Sequence, residues 1–251
     1  MLIQESVNNE KIAVYCGTSN VYEDMLVAAT SLLENSNVDK IYFLIENDEF
    51  PYKLPDKIEV KNVVNQEYFS KDGPNYRNTL TYMVLMRAAL SKIFPEYDRI
   101  LSLDIDTIVD KDISDIWDLN VDNYYFAAAL EPECSKGGKW EKLNKYYNCG
   151  VVLFNLKKLR DDKVDDEIIQ AINDTYFQCA EQDALNIACQ GHILEMKSEY
   201  NASDWTKATK KPKIYHYAAI SAPMWREFDV VQKYRRIADD NKRTNKELIE
   251  L

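Results

Sequence analysis

The sequence is short of basic residues, histidine and long apolar runs, and each shortage excludes something. Lys and Arg number 31 against 42 Asp and Glu, a formal net charge of −11 at pH 7. Such a surface repels phosphate backbones and anionic bilayers, so nucleic acid is not an expected partner. No stretch approaches the ~20 consecutive apolar residues that a membrane helix needs. The N-terminal MLIQESVNNEK has neither a basic n-region nor an apolar h-region. A cytoplasmic location is therefore expected, with at most peripheral contact at the inner face of a membrane. The five cysteines, Cys16, Cys134, Cys149, Cys179 and Cys189, make no C-x-x-C pair and no Cys/His finger pattern; they read as reduced thiols, mostly in the core. No internal repeat, low-complexity tract or Pro/Ser-rich linker interrupts the 251 residues, which favours one domain over two.

What is present is an alternation of β-branched or aromatic runs with amphipathic patterns, the signature of an α/β sheet. Strands are expected at 11–17, 40–47, 57–63, 97–103, 124–130, 148–156 and 212–220, and helices at 23–35, 76–94, 164–177 and 183–190. In the second helix Leu80, Met83, Met86, Leu90 and Ile93 supply the spacing, Arg87 sits at the edge of the apolar stripe, and Pro95 is the stop. The glycines and lysines of 131–145 describe a mobile surface loop that can close over a ligand. From Gln232 onward the polar composition describes a solvated helix or frayed tail.

The stretch YDRILSLDIDTIVDKD, residues 97–112, ends an apolar strand on Asp104 and Asp106. Positions i and i+2 of a strand share a face, so the two carboxylates point together into the crevice at the carboxyl end of the sheet. Like charges that close repel unless a cation lies between them. A divalent ion held there grips a diphosphate. Two other readings stand beside this one: the aspartates begin a turn, or Asp104 is the nucleophile of a haloacid-dehalogenase-type phosphatase. The second fits poorly, because Ile108 fills its Thr/Val slot. An EF-hand is excluded by Ile108 and Val109, which stand where an oxygen ligand and a glycine are required. There are two histidines, His192 beside a loop or strand edge and His216 inside the apolar run PKIYHYAAI. An imidazole with carboxylates suits Mn²⁺ better than Ca²⁺.

Five segments occur in order: IAVYCGTSNVYEDMLVAATSLL, YMVLMRAALSKIFPEYDRILSLDIDTIV, YYNCGVVLFNLKKLR, EQDALN and KIYHYAAISAPMW. With them the chain resembles glycosyltransferase family 8, which contains bacterial lipopolysaccharide galactosyl- and glucosyltransferases and glycogenin-like enzymes. The resemblance implies a GT-A fold, an α/β domain with a Rossmann-like mixed central sheet and flanking helices. It spans residues 1–225, with a nucleotide-sugar half (1–117) and an acceptor half (118–225), and leaves 226–251 as a helix or tail. It implies that Asp104, Asp106 and His216 bind Mn²⁺ or Mg²⁺, which clamps the diphosphate of a UDP-sugar donor. It sets Gly17, Thr18 and Asn20 against the uridine, and Arg87 and Asn148 against the donor. Gln182 then lies beside the anomeric carbon, flanked by Glu181 and Asp183 on sugar hydroxyls. The implied reaction is retaining transfer of a hexose to a hydroxyl of a glycan, glycolipid or glycoprotein. Retention is reached by double displacement on Glu181 or Asp183, or by same-face transfer, which is favoured because an amide is a feeble nucleophile.

The chain departs from the family pattern at two places. Thr18 stands where an aspartate is usual, and His216-Tyr-Ala-Ala219-Ile-Ser-Ala222-Pro223-Met-Trp225 replaces H-x-x-G-x-x-K-P-W. Loss of that lysine removes a charge-assisted hydrogen bond of about 1.5–3 kcal/mol, a factor of about 10–150 in rate. Lys207, Lys210, Lys211 or Arg226 are the candidates to replace it. Without a replacement, the alternative is a catalytically weak or inactive nucleotide-sugar-binding module.

Overall fold

The computed structural model describes residues 10–77, 81–133, 143–207, 211–218 and 222–249, with side chains 222–223 and 241–249 left aside. The strands are β1 (Ile12–Cys16), β2 (Lys40–Ile45), β3 (Ile58–Asn62), β4 (Arg99–Leu103), β5 (Thr107–Val109), β6 (Phe126–Leu130), β7 (Tyr147–Asn155), β8 (Ile193–Met196) and β9 (Ile214–His216). The helices are α1 (Tyr22–Glu34), α2 (Leu90–Ile93), α3 (Leu156–Asp161), α4 (Val164–Asp174), α5 (Ala180–Ala188), α6 (Ala222–Trp225) and α7 (Asp229–Ile249). Seven strands form one sheet in the order β3-β2-β1-β4-β7-β6-β8, and β5 pairs with β9 in a small second sheet. The pairs among β3, β2, β1 and β4 are parallel, β7 runs antiparallel to both β4 and β6, and β8 is parallel to β6. This is the expected mixed α/β sheet with flanking helices. Side chains alternate across it: Ile12 and Val14 face the layer built with α4 and α5, while Ala13 and Tyr15 face α1 and α7.

Several local expectations are corrected. The run from 76 does not make one α-helix: Tyr82–Ala89 is a 3₁₀ helix, with Thr81 Oγ1 accepting from the Met83 N–H, and α2 is a single turn after it. Leu80 of the expected stripe lies outside the described residues. Strand β4 stops at Leu103, so Asp104 and Asp106 belong to a turn and not to a strand face. The Thr107 N–H and hydroxyl both bond to the Asp104 carbonyl, which closes that turn. α5 begins at Ala180, not near Asp183, so Glu181, Gln182 and Asp183 sit in its first turn. β8 and α3 carry no strong periodic signal and were not expected.

The C-terminal segment is docked, not merely solvated. Val231, Tyr234 and Ala238 of α7 are buried in the same cluster as Met25, Leu26 and Ala29 of α1. Arg226 Nε donates to Asp24 Oδ1 at 2.9 Å, and Arg235 pairs with Glu23 and Asp24. The Tyr234 hydroxyl accepts from Asn35 Nδ2 at 2.6 Å, and that amide also donates to the Val109 carbonyl in β5. One side chain thus joins α7, the end of α1 and the strand that follows the aspartates. Among the described residues no helix is long and apolar enough to cross a membrane. Tyr234→Ala, by opening a cavity against α1 and removing the hydroxyl that Asn35 meets, is expected to cost about 3 kcal/mol in urea unfolding; a cost under about 1 kcal/mol would mean that α7 is not part of the cooperative unit.

Candidate active site

Strands β1 and β4 run parallel as neighbours, and their carboxyl ends open on a crevice. Cys16 at the end of β1 and Asp104 after β4 both line the cavity there, whose volume is about 540 Å³. Arg87, Asp106, Asn148, Glu181, Gln182, Trp205 and His216 complete most of its polar wall.

The small sheet brings the metal-ligating types together. β5 and β9 pair with Thr107 opposite His216, and the Tyr217 N–H donates to the Asp106 carbonyl at 3.0 Å. His216 Nε2 is thereby 3.5 Å from Asp104 Oδ2 and 3.4 Å from Asp106 Oδ1. One ligand atom from each of the three residues lies within 4.8 Å of the others. Ligands about 2.1 Å from a shared ion stand roughly 3–4 Å apart, so this donor set fits a divalent cation of the Mn²⁺ or Mg²⁺ kind. The imidazole is seated against the backbone of Gly150, where a Cβ would fall 2.1 Å from His216 Cε1. Gly150 also accepts the Asp104 N–H at 2.8 Å. This close approach coincides with a register shift of β6 against β7, where Ala128 pairs with Val152 but Ala129 with Asn148.

Behind the triad, Arg87 is only 7% exposed and meets two carboxylates. It pairs with Asp104, donates from Nη1 to Glu181 Oε1 at 2.8 Å, and donates from Nε to Ser102 Oγ at 3.2 Å. The Asp104 carboxyl, though burial opposes its ionisation, is held well below the usual range by Arg87 and His216. Burial lowers the His216 value, but Asp106 and Asp104 prevail and raise it to about 10. Burial pushes Glu181 up to about 7, an effect that Arg87 only partly offsets.

Residues 12–228 match glycosyl transferase family 8. The chain belongs to that family. Among family 8 relatives, the lipopolysaccharide 1,2-glucosyltransferase of Escherichia coli K12 is 25% identical, over 92% of this chain and 80% of its own length. Glycosyltransferase GlyA of Streptococcus pneumoniae serotype 4 is 23% identical over 91% of this chain, which spans about a third of that protein, 34%. The structure of the galactosyltransferase LgtC in complex with donor and acceptor sugar analogues superposes with a TM-score of 0.69 at 19% identity, covering 91% of this chain and 95% of that one. This last likeness is one of fold, and it matches the GT-A architecture expected from the motifs.

Of the site residues expected in this family 8 chain, Asp104, Asp106, His216, Arg87, Asn148, Glu181 and Gln182 converge on the cavity. Asp183 does not line it: the side chain is fully buried, accepting from the Tyr146 hydroxyl at 2.6 Å and the Cys179 N–H at 2.9 Å. Gln182 is held at both ends, its Oε1 by the Cys149 N–H at 2.8 Å and its Nε2 by Tyr146 Oη at 3.0 Å. Gly17, Thr18 and Asn20 follow β1 on its crevice side but outside the cavity wall. The Thr18 hydroxyl donates to Asn20 Oδ1, and a Cβ on Gly17 would strike Met25 Sδ at 2.6 Å. His192 stands apart, against Tyr125 with ring centroids 5.5 Å away. Of the candidate replacement cations, Lys207 pairs with Glu133 at 3.0 Å and Arg226 with Asp24. Lys210, Ala219 and Cys134 lie outside the described residues, as does most of the expected 131–145 loop. Cys16, Cys149, Cys179 and Cys189 are free thiols.

Sequence reasoning missed Glu131, Tyr146, Asn201 and Trp205. Tyr146 opens the segment YYNCGVVLFNLKKLR, so membership of that segment was an available signal; the others carry none that periodicity or spacing exposes. The raised Glu181 carboxyl has a measurable consequence. Unfolded, a glutamate titrates near about 4.3, so between there and about 7 the native state holds a proton that the unfolded chain has lost. The wild type therefore loses stability across that window as pH rises. In the metal-free protein, Glu181→Gln should gain stability relative to wild type between about pH 5 and about pH 8, read from urea midpoints; an unchanged difference would show that Glu181 titrates normally.

Proposed function

We propose that the protein is a retaining hexosyltransferase that moves a sugar from a UDP-sugar to a hydroxyl of a glycan, glycolipid or glycoprotein acceptor. The observation that carries this reading is the convergence of Asp104, Asp106 and His216 at the wall of a 540 Å³ cavity, in a chain of family 8. Those three residues would hold Mn²⁺ or Mg²⁺, which when bound supplies Lewis-acid neutralisation of the leaving diphosphate. Gly17, Thr18 and Asn20 would meet the uridine. A cytoplasmic location, with at most peripheral membrane contact, belongs to the same proposal, as does a nucleotide-sugar donor in place of any nucleic acid.

Arg87 keeps Asp104 ionised and Glu181 in place while lining the donor cavity. Glu181 Oε2 is buried without a hydrogen-bond partner, which suits it to accept from a hydroxyl of the transferred sugar. Gln182, fixed at both ends of its amide, is a positioning group beside the anomeric carbon and not a nucleophile. Asp183, spent on Tyr146 and Cys179, would act by holding Tyr146, and through it Gln182. A double displacement on Asp183 is disfavoured by that burial, and same-face transfer is the route the geometry supports, with positioning and charge stabilisation as its sources of rate. Family membership gives no support to the inactive-module alternative.

Purified protein with Mn²⁺ and a panel of UDP-sugars should hydrolyse one donor. Asp104→Asn and Asp106→Asn should each lower that rate by about 100-fold or more, and a chelator should abolish it. Full activity of both variants in chelator would refute the proposal.

A further inference from the structure

We infer that Asn201 is a positioning residue that fixes His216 as the Nδ1–H tautomer, so that the Nε2 lone pair is presented to a divalent cation beside Asp104 and Asp106. This inference rests on the metal reading given above. Its starting point is a group whose polarity is beyond choice. The backbone N–H of Gly150 can only donate, and it meets Asn148 Oδ1 at 2.9 Å. The amide of Asn148 is thereby oriented, its Nδ2 facing Glu131 Oε1 at 2.6 Å as a donor to a carboxylate.

The orientation then propagates. Asn201 approaches the same Asn148 Oδ1 at 2.8 Å, so the contacting atom is its Nδ2. The other end of the Asn201 amide, Oδ1, is left to face His216 Nδ1 at 2.8 Å. An amide oxygen accepts and does not donate, so the proton on that imidazole nitrogen is required. In the neutral ring the second nitrogen, Nε2, then carries the lone pair, and it is the one 3.4 Å and 3.5 Å from the two aspartates. A lone pair aimed at two anions needs a cation among them, which is a proton on Nε2 in the metal-free protein and the divalent ion once bound.

The linkage is rigid because it is buried and doubly anchored. Asn201 is completely buried, and its neighbour Ala202 brackets β9, accepting the His216 N–H at 3.0 Å and donating to the Ile214 carbonyl at 2.9 Å. The ring cannot turn over without leaving Asn201 Oδ1 unpaired in the interior, a cost that water cannot relieve.

The test pairs Asn201→Leu with Asn201→Asp. Free Mn²⁺ is followed by electron paramagnetic resonance during titration, and stability is followed by thermal melting. Both variants should melt below wild type, because Asn148 Oδ1 loses one of its two donors in one and faces an anion in the other. Mn²⁺ affinity should fall about 10–100-fold in Asn201→Leu alone, since the aspartate still accepts from Nδ1–H. In ¹⁵N-histidine-labelled wild type loaded with diamagnetic Mg²⁺, the His216 proton should reside on Nδ1. The inference is overturned if folded Asn201→Leu binds Mn²⁺ as wild type does, if Asn201→Asp weakens binding equally, or if the Mg²⁺-loaded spectrum places the proton on Nε2. That spectrum decides the matter if neither variant folds. Wild type that binds no Mn²⁺ would overturn the metal reading and this inference together, whereas tight wild-type binding unaffected by Asn201→Leu would remove this inference alone.

Discussion

A single buried guanidinium holds the two sides of the cavity together. Arg87 rises from the 3₁₀ segment to Asp104 after β4 and to Glu181 in the first turn of α5, while its Nε reaches Ser102 inside β4. A charge this deeply buried is tolerable because each of its faces is met by an acceptor; removing one partner from such a pair typically costs about 3–5 kcal/mol. The position of Asp104 and that of the helix bearing Gln182 are therefore not independent. The same contact helps keep Asp104 ionised, while at Glu181 it only partly offsets the burial that raises that carboxyl.

Around that cation the site is built from backbone as much as from side chains. Gly150 touches the His216 ring beside the register shift of β6 against β7, and its carbonyl receives the Asp104 N–H where the β4–β7 ladder continues past Leu103. A methyl group at 150 has no room there. The cap of α5 works in the same economical way: Asp183 accepts the Cys179 N–H and the Tyr146 hydroxyl, and Tyr146 in turn supports Gln182. Polar groups that would be costly if buried alone are thus paired in series, and the pairing fixes their directions.

Much of this was legible beforehand, although not always for the right reason. Asp104 and Asp106 lie close together, as their spacing suggests, but strand alternation does not unite them. They meet across a turn closed by Thr107, with His216 carried in by the β5–β9 ladder. The apolar spacing of Met83, Met86 and Leu90 did mark a buried face, yet it could not show that most of the segment winds as a 3₁₀ helix or that Arg87 turns inward. The composition of the C-terminal segment concealed Val231, Tyr234 and Ala238, too few and too widely spaced among charges to announce that they pack on α1.

The amino-acid order by itself determined the α/β class, the main strands, the family, and the residue types able to bind a cation, because periodicity and motif spacing are properties of neighbours along the chain. Tertiary structure alone decided which of those residues meet. Asn201 and Asn148 are 53 positions apart, and Arg87 and Glu181 are 94 apart. Hydrogen bonds and charges act over a few ångströms of space without regard to such separations, so partners of this kind become visible when the sheet has closed and not before.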